Sequence, residues 1–202
     1  PGQNINTEIW SSGFLPSHHG GVLLQPGDDA VLYVGNPDGV TMPRRAAAID
    51  AINALARVQH ERTGNPEILS KLAQYEMAFK MQSSVPELTD LSKEPESIWK
   101  LYGEEARKGG TFANCALMAR RLVEQGVRFV QIFLSAQPWD THNNIKGGLT
   151  DLCARIDQPS AALVHDLKRR GLLDSTIVLW TGEFGRQPIS QGPDGRDHNR
   201  RG

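Results

Sequence analysis

Two apolar runs constrain this chain most. Val127-Arg128-Phe129-Val130-Gln131-Ile132-Phe133-Leu134 and Thr176-Ile177-Val178-Leu179-Trp180-Thr181 are rich in β-branched and aromatic residues. Their near-continuous apolar character suits strands buried on both faces of a parallel sheet. Between them lies a long helical pattern from about Leu149 to Arg170, ended by Gly171. Pro159 interrupts that pattern and predicts a kink or a break. A strand, a helix and a second strand joined by short connections imply a right-handed parallel crossover. The predicted fold class is therefore α/β, with a mainly parallel sheet flanked by helices.

The rest of the chain supplies helices. Ile49, Ile52 and Ala56 recur at helical spacing between Arg44 and His60. Asn65, Pro66 and Glu67 form a helix start, followed by the stripe Ile68, Leu72, Tyr75 and Phe79. Pro86 and Pro95 bound a looser stretch, and a short helix around Ser97–Tyr102 stops at Gly103. Phe112 to Gln125 is helical, with Cys115, Met118 and Leu122 on one face and Gly126 as the stop. Residues 1–40 are rich in Gly and Pro and read as loop with short apolar pieces such as Val31-Leu32-Tyr33-Val34.

The 202 residues suit one domain. The formal net charge of −1 gives no global field for nucleic acid or an anionic membrane. No apolar run approaches the ~18 residues of a membrane span. Two cysteines, Cys115 and Cys153, exclude a disulfide-rich scaffold. They read as small apolar residues on inner helix faces, and a disulfide between them requires those helices to touch. The chain begins at Pro1 and stops at Arg200-Arg201-Gly202, just after a dense polar motif. The expectation is a piece of a longer chain whose flanks hold outer strands and a nucleophile.

In open α/β sheets, ligands bind beyond the carboxyl ends of the strands. The first run leads into Gln137-Pro138-Trp139-Asp140-Thr141-His142-Asn143-Asn144. The second leads into Gly182-Glu183-Phe184-Gly185-Arg186 and then Gly195-Arg196-Asp197-His198-Asn199. Asp140 and His142, two apart, offer one hard oxygen and one imidazole nitrogen. Such a pair suits zinc, manganese or iron better than calcium. Asp197 and His198 repeat that chemistry, and Glu183 lies just past the second run. These five side chains are enough for one ion and could support two. The alternative is that they are polar loop residues bonded to backbone. Arg186 and Arg196 could clamp a tetrahedral anion or pair with nearby carboxylates. Trp139 either packs the loop or walls a pocket. His18-His19 could bind metal or substrate but reads first as an exposed loop pair, and His60 and His165 read as surface residues on helices. No Gly-x-Ser-x-Gly and no phosphate-cradling loop is present, so the catalytic nucleophile is not identified.

The run Leu167-Lys168-Arg169-Arg170-Gly171-Leu172-Leu173-Asp174-Ser175-Thr176-Ile177-Val178 resembles a helix-strand segment of the alkaline phosphatase/sulfatase superfamily. More of the chain resembles the bacterial DUF1501 family. The matching segments are Tyr75-Glu76-Met77-Ala78 with Val85-Pro86-Glu87-Leu88, the stretch from Ala119 to Val130, Trp139-Asp140-Thr141-His142, Gly182-Glu183-Phe184-Gly185-Arg186, and Gly195-Arg196-Asp197-His198. The resemblance implies an alkaline phosphatase-like α/β core with a doubly wound, mainly parallel sheet flanked by helices, part of which is present here. It also implies a metal-dependent hydrolase of phosphate or sulfate esters acting on a small-molecule or saccharide ester. Asp140, His142 and His198 match the positions of one metal, zinc or manganese, with calcium as the harder alternative. Where the superfamily has an Asp-His pair for a second metal, this chain has Glu183-Phe184, so a second ion would lean on Glu183 and Asp197. That departure keeps a second reading open, a non-catalytic binding or surface module that retains one metal. Many members of the family carry a twin-arginine signal, which implies a periplasmic or exported parent protein.

Overall fold

The computed structural model describes residues 12–16, 19–24, 36–134, 138–182 and 185–199. The chain divides into two compact units, whose described residues lie within Asn4–Asp90 and Leu91–Gly202.

The first unit is a helical hairpin. Helix α1 spans Met42–Thr63 and α2 spans Pro66–Thr89. Gly64 closes α1 in the left-handed region at φ 65°, and its N–H donates to the His60 carbonyl. The next helix starts as its sequence predicts: Asn65 Oδ1 accepts from the Glu67 N–H at 3.0 Å. The sheltered stripe of α1 runs through Ala46, Ile49, Asn53, Ala56 and His60, and Ile52 is exposed. Asn53 Nδ2 donates to Glu76 of α2 at 3.4 Å. Helix α2 runs through Pro86 rather than ending there, with Leu72 and Val85 buried. Val31–Val34 and His18 lie outside the described residues.

The second unit is built on three helices, α3 (Glu96–Tyr102), α4 (Phe112–Glu124) and α5 (Ile145–Arg169). Thr111 caps α4 by accepting from the Asn114 N–H at 3.1 Å. Gly126, at φ 81°, lets the Val127 N–H reach back to the Leu122 carbonyl at 3.0 Å. Asn144 caps α5 in the same way, accepting from the Gly147 N–H. Helix α5 is continuous through the buried Pro159, so the expected break does not occur. The core gathers Ile98, Trp99 and Tyr102 of α3, Ala116 and Leu117 of α4, and Ala162 of α5. Alanines at 113, 116 and 162 leave room for the helices to pack closely. The buried residues of α4 are Ala113, Ala116, Leu117, Ala119 and Arg120, while Cys115, Met118 and Leu122, read from the sequence as one face, are partly buried.

The fold class is the main correction. The described residues are helical and contain no strand and no sheet. Their one bridge, antiparallel, joins Arg186 to His198. The doubly wound parallel sheet is therefore not formed, and neither is the crossover. The reason lies in what β propensity measures, which is the fit of a side chain into a pleated surface made by neighbouring strands. Val127–Leu134 and Thr176–Thr181 find no ladder. Helix-on-helix packing closes the core, with only Ile132 of the first run packed at its margin. Phe129 is 81% exposed and Ile177 is 94% exposed. No helix among the described residues is long and apolar enough to cross a membrane.

Charge also sits in this core. Arg120 is buried, with NH2 2.7 Å from Glu94, NH1 2.6 Å from Glu124 and Nε 3.2 Å from the buried Asp166. Arg170 bridges Asp166 and Glu124, and Arg121 pairs with Glu94 at 3.1 Å. Three arginines thus face three carboxylates. Burial, and then the nearby Asp166 charge, push the Tyr102 hydroxyl far above its ordinary range.

Both cysteines are free thiols in partly buried positions. Burial pushes the Cys115 thiol up. A raised value leaves less thiolate at any pH, and the thiolate is the nucleophile. Cys115 is therefore expected to react with iodoacetamide at pH 8 more slowly in the folded chain than in urea. Mass spectrometry of the Cys115 peptide reads both rates, and equal rates would contradict this packing.

Candidate metal centre

Two loops build the site. The first lies between Pro138 and the start of α5. The Thr141 N–H donates to the Trp139 carbonyl at 2.9 Å, and the His142 N–H donates to the Asp140 carbonyl at 3.1 Å. These tight turns bring the Asp140 and His142 side chains together. The second loop runs from Gly185 to Asn199 and folds back on itself. Asn199 N–H donates to the Gly185 carbonyl, and Gln187 N–H to the Asp197 carbonyl, each at 2.8 Å. His198 is thereby carried opposite Arg186.

Backbone bonds stitch the loops together. Arg196 N–H donates to the Thr141 carbonyl at 2.9 Å, and Ile145 N–H to the Asp194 carbonyl at 2.9 Å. Asp194 Oδ1 also accepts from the Asn144 N–H at 2.8 Å. Gly195 lies so close to the His142 backbone that a Cβ there would overlap its carbonyl group.

Three ligand-type atoms converge. His198 Nε2 lies 2.9 Å from Asp140 Oδ1, and His142 Nε2 lies 3.0 Å from the same oxygen. The two Nε2 atoms are 3.2 Å apart. A tetrahedral ion with bonds of about 2.0–2.1 Å holds its ligand atoms about 3.3–3.4 Å apart. The cluster therefore needs to open by only a few tenths of an ångström.

Hydrogen bonding fixes the character of the cluster. His142 Nδ1 lies 2.9 Å from Asp197 Oδ1. A carboxylate accepts only, so this contact assigns the proton to Nδ1. In the neutral imidazole, Nε2 of His142 is then a lone pair facing another acceptor, Asp140. Two acceptors at that distance repel unless a proton or a cation lies between them. The His198 N–H serves one of these acceptors; a bound cation serves all three atoms. A carboxylate behind a ligating imidazole is the usual support for a metal-binding histidine.

The charges agree. Asp140 is held down at about 2, first by its hydrogen bond with His198 and next by Arg186. Asp197 is also lowered, chiefly by its bond with His142 and then by the Gln191 N–H at 2.8 Å. At neutral pH both are carboxylates, so Asp140 meets a cation without first losing a proton.

Asp140, His142 and His198 are thus brought together as the sequence suggested. Asp197 stands outside this trio, with Oδ1 against Nδ1 of His142. Arg186 NH1 contacts Asp140 Oδ1 at 2.7 Å, so it stands at the cluster. Arg196 turns instead to the Gly195 carbonyl at 2.6 Å. Glu183 lies outside the described residues. His60 bonds the Asn65 carbonyl through Nδ1, and His165 is exposed. The sequence reading missed Asp194 and gave Gly195 no role of its own, although an Asp-Gly pair is a turn signal.

A model of one protein family, described as "Protein of unknown function (DUF1501)", matches residues 2–202. No curated protein and no solved structure matches the chain.

Proposed function

Because this chain belongs to the DUF1501 family, whose own description assigns no reaction, we propose a function from the site itself: a metal-dependent hydrolase of phosphate or sulfate esters. The convergence of Asp140, His142 and His198, with Asp197 behind His142, carries the reading. One divalent ion, zinc or manganese, would supply Lewis-acid polarisation of an ester oxygen there. Asp140 offsets the ion's charge and the imidazoles fix its position. Asp197 keeps the His142 lone pair turned toward the ion. Arg186, beside Asp140, presents a guanidinium to the remaining anionic oxygens of the ester. The sequence resemblance to sulfatases and phosphatases supports the choice of ester.

A second reading keeps the metal and drops the catalysis. It is favoured by the openness of the site, whose three ligand side chains are between 33% and 46% exposed. Water exclusion strengthens electrostatic catalysis, and these ligands are not shielded from water.

Turnover decides between them. The zinc- or manganese-loaded chain is expected to hydrolyse 4-nitrophenyl phosphate or sulfate. The rate should fall at least ~100-fold in His142→Ala, the scale of losing a group that stabilises developing charge. A loaded chain that binds metal but turns over neither ester would favour the non-catalytic module.

A further inference from the structure

The metal cluster has an aromatic neighbour that the ester reading leaves unused. Trp139 immediately precedes the ligand Asp140, and the turn closed by Thr141 onto the Trp139 carbonyl holds it there. Its ring meets that of Trp180, with centroids 6.3 Å apart and planes tilted by 56°. That geometry lies within the range of favourable aromatic pairs. A tilted pair is open, and Trp180 remains 67% exposed.

Trp99 shows the contrasting use of the same side chain. It is buried in the helical core, and its indole N–H donates to the Glu94 carbonyl at 3.0 Å. Trp180 has no such burial. Its neighbours Ile177 and Leu179 are exposed as well. Only Trp180 of these is held by a ring contact to the residue beside a metal ligand. A flat apolar face is thus tied, through Trp139, to the loop that carries Asp140 and His142.

We propose that Trp180, held by Trp139, forms a platform for the organic part of the substrate. The substrate would then be a phosphate or sulfate monoester of a ring-bearing alcohol. The ring stacks its flat face on the Trp180 indole while the anionic head lies at the metal and Arg186. An aryl ring and the C–H face of a sugar share this chemistry. A short alkyl ester carries the same anion but has nothing to stack.

This inference rests on the metal-ester reading above, so its test must separate the two. Isothermal titration of the zinc-loaded chain uses methyl phosphate, phenyl phosphate and glucose 6-phosphate. Methyl phosphate reports the metal and Arg186 alone. At least one ring ester is expected to bind about tenfold tighter than methyl phosphate, and the tighter of the two identifies the ring. Trp180→Ala should abolish that advantage and leave methyl phosphate binding unchanged. Leu179→Ala, at an exposed neighbour, should change none of the three. Equal affinities in the native chain would overturn the platform while the metal-ester reading stands. An advantage that survives Trp180→Ala would do the same. If none of the three esters binds, both inferences fall together.

Discussion

Arg120→Ala is expected to destabilise the Leu91–Gly202 unit by about 3–5 kcal/mol, the scale for removing one partner of a buried ion pair. Arg120 lies between Glu94, Glu124 and Asp166, and both Arg120 and Asp166 are buried. Without Arg120, Asp166 keeps only Arg170 and a long 3.5 Å contact from the Tyr102 hydroxyl. Glu94 keeps only Arg121. The uncompensated carboxylates, not the lost attraction, account for most of the cost. Arg120 Nε and NH2 stand at ion-pair distance without aligned hydrogen bonds. The native network is therefore no large source of stability, and a double replacement of Arg120 and Asp166 by leucine should cost less than Arg120→Ala alone. Urea unfolding followed by far-ultraviolet circular dichroism measures both. A loss below about 1 kcal/mol in Arg120→Ala would show that the network is wet rather than buried.

Gly195→Ala is expected to weaken zinc binding about 10–100-fold while leaving the helices intact, the scale of losing support behind a metal ligand. The added methyl would overlap the carbonyl group of His142, which is backbone and cannot rotate away. Relief requires the two loops to part, and the Arg196-to-Thr141 bond lies beside that contact. Parting them carries His198 away from His142 and Asp140. Gly182 is the control, since a Cβ there meets nothing within 4 Å and its φ is not in the left-handed region. Gly182→Ala should bind zinc like the native chain. Equal zinc affinity in Gly195→Ala and the native chain would mean that the loops do not need this close approach.

The helices were legible because their ends carry local chemistry. Asn65 and Pro66 start α2, Gly103 ends α3, Gly126 follows α4 and Gly171 follows α5; each acts through its own backbone or side chain within a few residues. That the two expected strands do not form was not legible, because a run such as Thr176–Thr181 states a preference but cannot supply the neighbour that makes a ladder. The burial of Arg120 in α4 was not legible for a related reason. Arg120 lies on the inner stripe, where a charged residue is expected only if partners from elsewhere neutralise it. At the site, the Asp-x-His pair and the later Asp-His pair located the cluster. Which aspartate joins the two histidines and which stands behind His142 was hidden, since Asp197 is placed by a bond from Gln191 within its own loop and one from His142 of the other loop.

The central claim is that Asp140, His142 and His198 hold one metal ion. Zinc titration of the chain, with X-ray absorption at the zinc edge, tests it most directly. The expected result is one zinc per chain, with two imidazole nitrogens and a carboxylate oxygen at about 2.0–2.2 Å. Affinity should be lost in His142→Ala and in His198→Ala, and weakened about 10–100-fold in Asp197→Asn. A chain that binds no stoichiometric zinc, or that binds it equally well without both histidines, would contradict the account.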